Sequence, residues 1–173
     1  MYQKILTLGL IYLAAVAEVS LAPNLFLGRL VPDIVLVLVI IWSSRKSFES
    51  FWIWAIIAGL VLDAVSLERI GLNAALFLLI SFGINFLSKR FFVGQRSRNF
   101  FWVAVLILAG TVISYTLGIG LNAAVGEMSL EAFSFRGVIF KAVNNLIILT
   151  IIYWPVVSSK NIFPIEESRL VVK

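Results

Sequence analysis

"AGLVLDAVSLERIGLNAALF", Ala58 to Phe77, reads as two apolar arms joined by a short polar elbow, with one carboxylate, Asp63, inside the first arm. An ionised Asp near the middle of a bilayer costs about 2.5–3.5 kcal/mol on insertion scales, so it needs a partner or an interface. The elbow supplies the interface. Asp63 then lies near the end of one membrane helix, "SLERI" turns outside the membrane, and Gly71 opens the next helix. A helical hairpin of this kind sets the class, because a chain crossing lipid must satisfy every backbone group internally.

The rest of the chain repeats the pattern. Of its 173 residues, 61% are apolar and 13% charged, against roughly 45–50% and 25% in soluble domains. Apolar runs cover Ile5 to Leu27, Phe51 to Ser66, Gly71 to Leu87, Phe100 to Val125 and Phe135 to Val157, leaving no soluble domain between them. The stretch "VPDIVLVLVIIW", Val31 to Trp42, makes only about 18 Å of helix against a hydrocarbon core of about 30 Å. Pro32 and Asp33 are a helix-start signal, and extension through Ser43 and Ser44 turns the run into a span; the alternative is a re-entrant segment. The expected fold is therefore an all-α integral membrane protein, one polytopic domain over residues 1–173, with a six-helix transmembrane bundle or, in the alternative, five spans. Near the start, Lys4, an apolar run and "AVA" before Glu18 resemble a cleaved signal peptide, but continuation through "VSLAPNLFL" favours a retained span.

The formal net charge of +5 sits in the breaks between apolar runs, where orientation needs it, so nucleic acid is excluded as a partner. The positive-inside rule places Lys4, Arg45, Lys46, the "SKRFFVGQRSR" loop and the Lys160 to Lys173 tail in the cytoplasm, with both termini inside. A five-span chain exchanges only Lys4 for Arg29 on that side. Glu68, Arg69, Glu127, Glu131 and Arg136 fall on the outer face. There is no cysteine and no histidine, which removes disulfides, serine–histidine proteolysis and His-ligated metals. Asp33 opens its helix and Asp63 closes its own, neither in a GxGD-like setting, so an aspartyl dyad is not indicated. No enzyme activity and no cofactor are expected.

Depth along each helix, at about 1.5 Å per residue, places the intramembrane polar residues. Glu18 lies roughly 13 Å below the outer end of the first span and Lys141 roughly 9 Å below that of the last. With Asp63, Asn144 and Asn145 they form a polar cluster in the outer half. Two readings stand: Lys141 neutralises Glu18 or Asp63, or Asp63 reaches interfacial water while Lys141 snorkels outward. Small residues recur every fourth position, as Ala55, Gly59 and Asp63, and as Gly110, Ser114, Gly118, Asn122 and Gly126. These are faces for close helix approach, within the bundle or toward a partner helix. Gly137, Lys141 and Asn145 form a third face, and Ser81, Asn85 and Ser88 a polar seam. Trp42, Trp52, Trp54 and Trp102 flank cytoplasmic breaks and read as interfacial anchors.

"PDIVLVLVIIW", a short basic break and "GLVLDAVSLERIGLNAALFLLISF", in that order, resemble the rod shape-determining protein MreD family, best over Pro32 to Phe82. The resemblance implies a non-enzymatic membrane subunit of the bacterial elongation machinery in the inner membrane. It implies as partners MreC, a single-span protein, together with RodA, a class B penicillin-binding protein and MreB. Family members also resemble, in fold, the substrate-binding subunits of energy-coupling-factor transporters. A substrate-capture subunit for a vitamin or micronutrient is accordingly the alternative function. Against it, the first span lacks the Ala-x-x-x-Ala pattern that docks the coupling subunit there.

The topology has a direct check. Alkaline phosphatase fused at Gln95 is expected to be inactive, because four basic residues between Lys89 and Arg98 hold that break in the cytoplasm; an N-terminal fusion is inactive for six spans and active for five.

Overall fold

A computed structural model of the chain describes residues 2–25, 31–46, 48–67, 69–91, 100–124 and 134–158. Arg29, Glu68, Arg96, Arg98, Gly126, Glu127, Glu131 and the 160–173 tail lie outside the described residues, as do the side chains of Ser88, Lys89, Arg90 and Asn122. Among the described residues every regular element is helical. Helix α1 (Tyr2–Val16) runs through one π-helical turn (Ala17–Leu21) into a short α2 (Ala22–Leu25). Pro23 accounts for the π turn: it has no N–H for the Val19 carbonyl, and its ring crowds that carbonyl. The helix widens by one residue, and the Ala22 N–H reaches back to the Ala17 carbonyl.

The remaining elements are α3 (Ile34–Ser43), α4 (Phe48–Ser66), α5 (Leu72–Phe91), α6 (Phe100–Ala124) and α7 (Phe135–Ser158). Four rods, Lys4–Asn24, Phe48–Ser66, Phe100–Gly120 and Phe135–Val156, are long and apolar enough to cross a membrane, while Ile34–Ser43 and Leu72–Leu87 are shorter. This is the all-α, six-helix architecture of an integral membrane protein.

Helix α3 is the centre of it. A helix that is apolar all round belongs in a core, and every residue from Val35 to Ser43 is buried among α1, α4, α5, α6 and α7. Its ten residues make about 15 Å, half the thickness of a bilayer core. The helix ends at Ser43 with Ser44 as its C-cap, and the two hydroxyls donate back to the Ile40 and Ile41 carbonyls. Asn85 of α5 then donates through Nδ2 to the Lys46 carbonyl at 2.9 Å, tying the α3–α4 loop down. Trp42 departs from the interfacial role expected of it. It is only 4% exposed and packs its ring against Phe51 and Trp54, with centroids 5.3 and 5.6 Å away, and under the Lys46 ammonium. An α3 wrapped by five neighbours leaves its last aromatic no surface to anchor. Trp52, 41% exposed, does face outward.

Lipid gives helices no hydrophobic reason to associate, so their contacts depend on close backbone approach. Among the described glycines the closest approach is at Gly59, between α4 and α5. A Cβ on Gly59 would fall on the main chain of Ala74 and 2.6 Å from the carbonyl carbon of Asn73. Ala55 and Asp63 share this buried face with Gly59. Between helices α6 and α7 the close neighbour is a side chain: a Cβ on Gly137 would lie 2.6 Å from the Tyr115 hydroxyl.

Gly59→Ala is therefore expected to lower the melting temperature in detergent, with an overpacking cost of about 1–3 kcal/mol or more. Gly83, where a Cβ would meet nothing within 4 Å among the described residues, is the control: Gly83→Ala is expected to be neutral or to stabilise by about 0.5–1 kcal/mol through reduced chain entropy.

Candidate functional site

A helix that begins inside a membrane protein leaves its first N–H groups without intrahelical acceptors. Helix α3 begins in this way at Ile34, and its sequence offers no cap of its own: Asp33 occupies the N-cap position but makes no capping hydrogen bond with its side chain. The acceptors come from other helices. The Val35 N–H donates to Glu18 Oε2 at 2.9 Å, and the Asp33 N–H donates to Asn145 Oδ1 at 2.7 Å. Glu18 is held in position by the π turn that contains it, and its carboxyl group lies against the positive end of the α3 dipole.

The Asp33 side chain turns elsewhere. Its Oδ1 lies 2.9 Å from the Lys141 ammonium of α7, in a pair whose side chains are 16% and 23% exposed. Asn145, one turn further along α7, donates through Nδ2 to Thr111 Oγ1 of α6 at 2.9 Å, and Thr111 donates to the Ile107 carbonyl at 2.7 Å. Thr111 and Asn145 are completely buried. The start of α3 is thus bound by a polar knot contributed by α1, α6 and α7.

Asp63 serves a different helix start. Its Oδ2 accepts the Gly71 N–H at 2.6 Å and its Oδ1 the Asn73 N–H at 3.2 Å, so one carboxylate satisfies two donors at the opening of α5 and closes the α4–α5 elbow. Gly71 is needed there because its φ is +101°, a conformation that L side chains rarely adopt.

Of the residues singled out from sequence, the structure brings Glu18, Lys141 and Asn145 to one place, with Asn144 half-buried beside Asn145. Lys141 was expected to meet Glu18 or Asp63; the acid 2.9 Å from it is Asp33. Sequence reasoning missed Asp33 as the partner of Lys141 and Thr111 as the partner of Asn145. The signal for Asp33 was the shortness of the run after it: a helix of about 15 Å with one end at the α3–α4 loop must start deep in the bundle. Thr111 lies beside Gly110 on the small-residue face, and nothing in the sequence marked its hydroxyl as the acceptor for Asn145. The small-residue face of α6 divides. Gly110 packs on the Ile40 side chain of α3, Ser114 is half-buried, and a Cβ on Gly118 would meet nothing within 4 Å among the described residues. Asn85 of the expected seam is used at the α3–α4 loop, while Ser81 Oγ is buried without a hydrogen-bond partner among the described residues.

Known proteins compare with the chain as follows. The family model described as rod shape-determining protein MreD matches residues 1–159. No curated protein and no solved structure matches.

The knot is open to a double-mutant cycle. Lys141→Met leaves the Asp33 carboxylate without its counter-ion and is expected to lower thermal stability markedly. Asp33→Asn combined with Lys141→Met is expected to recover part of that loss, with a coupling energy of about 0.5–3 kcal/mol from detergent melting curves of the four proteins.

Proposed function

Because the chain belongs to the rod shape-determining protein MreD family, we propose that this membrane protein of rod-shape determination acts as a non-enzymatic scaffold of the cell-elongation machinery. It sits in the bacterial inner membrane with both termini cytoplasmic. Its direct partner is an MreC-like single-span protein, and RodA, a class B penicillin-binding protein and MreB belong to the same assembly.

One observation carries the scaffold reading. The polar groups that lipid makes costly are engaged in holding helix starts: Glu18 and Asn145 at α3, Asp63 at α5. Side chains committed to backbone N–H groups fix the bundle's shape, which is what a protein that positions other membrane proteins requires. The partner face is assigned to the upper part of α6. Gly118 lies two steps of four beyond the internally packed Gly110 on the same small-residue face, and a Cβ placed on it would meet no other part of the described residues within 4 Å, leaving room for another chain's backbone.

Purification from mildly solubilised membranes, with mass spectrometry of the chains and small molecules retained, tests this. An MreC-like partner is expected with the native protein and is expected to be lost from Gly118→Leu at normal membrane levels, together with rod shape in a complementation strain. Loss of accumulation with the partner retained assigns that face to internal packing. Recovery of a vitamin-like small molecule without partner chains overturns the scaffold in favour of a substrate-capture subunit.

A further inference from the structure

The elbow between α4 and α5 presents two large aliphatic side chains to the outside. Leu67 is 91% exposed and Ile70 82%, the highest values among the large apolar residues described. Leu67 also has a φ of +56°, in the left-handed region that glycine occupies easily and leucine does not. A turn free to choose would carry glycine there. The elbow is also firmly aimed: Asp63 holds the Gly71 and Asn73 N–H groups, the Leu72 N–H donates to the Arg69 carbonyl at 3.2 Å, and Ser66 Oγ donates to the Asp63 carbonyl at 3.4 Å.

Two further observations say what these side chains meet. Helix α4 has 19 residues, about 28 Å of rise, against a hydrocarbon core of about 30 Å. The elbow therefore arrives at the boundary of the acyl chains and does not clear it. Along α4, the outward face runs through Ile53, Leu60 and Ala64, all exposed, and Leu67 follows directly on Ser66, the last residue of that helix. Among the described residues no helix covers that face, and the exposed Leu67 lies at its end.

We propose that Leu67 and Ile70 form an aliphatic anchor that enters the bilayer at the boundary of acyl chains and headgroups, setting the depth at which the α4–α5 hairpin rides. The occupant of this surface is lipid. The strained backbone at Leu67 is retained because it turns the side chain into that boundary.

The absence of native cysteine allows single labels without further change. Leu67→Cys, Ile70→Cys and, as a lipid-facing reference, Leu60→Cys are spin-labelled in the full chain and reconstituted in vesicles of phosphatidylethanolamine and phosphatidylglycerol. At all three positions, collisions with dissolved oxygen are expected to exceed collisions with a water-soluble nickel chelate several-fold. Dominant nickel collisions at 67 and 70 place the elbow in water and overturn the anchor. Protection from both reagents places it against protein and overturns it equally. Leu67→Gly adds an independent arm, because it relaxes the backbone and removes only the side chain. A fall of a few degrees in the melting temperature in vesicles is expected despite the relaxed turn, and an unchanged or raised value overturns the proposal.

Discussion

The structure depends on how a helix may begin where there is no water. The first turn of α3 lies inside the bundle, and a donor left unsatisfied there costs several kcal/mol. In a soluble protein a Ser or Asp at the N-cap meets this need locally. Here the need is met by Glu18, sixteen residues before Ile34, and by Asn145, in the last helix. A requirement local in origin becomes a long-range constraint: α3 is stable in its place only when α1 and α7 are both in theirs.

The charges follow from the same constraint. Asp33 gives its backbone N–H to Asn145 and its carboxylate to Lys141, so α7 holds both the main chain and the side chain of one residue. A lone Lys in that position would oppose the positive end of α3; with Asp33 beside it and Glu18 on Val35, the knot brings two carboxylates and one ammonium to a helix start that itself favours negative charge. The π turn belongs to this arrangement as well. By inserting one residue, it lets the long first rod carry Glu18 inward at the depth where α3 begins.

The fold was legible where hydropathy and turn chemistry agree. Asp63, "SLERI" and Gly71 give the α4–α5 elbow directly, since a carboxylate at a helix end followed by glycine leaves few other arrangements, and the long apolar runs give the other rods within a few residues. The site was legible in part. Glu18, Lys141 and Asn145 stand out because charge and amide are conspicuous in oil, but which of them meet depends on how deep α3 starts, and that is a tertiary fact. Asp33 looked like an ordinary N-terminal signal because its residue type is the usual one there; its side chain turns to Lys141 once Asn145 has taken up the backbone. Trp42 misled for a related reason. Tryptophan beside a basic break is the mark of an interface, but its ring follows α3 into the core when neighbours surround the helix on every side.

The contact at Gly59 carries a consequence for how this sequence can change over time. Where two side chains collide, a larger residue on one helix is accommodated by a smaller one on the other, and lineages drift through such exchanges. At Gly59 the colliding atoms belong to the main chain of Ala74 and Asn73, which no substitution at those positions trims away. The site has no compensating partner, so its identity is fixed by backbone geometry alone, and neighbouring positions must evolve around it.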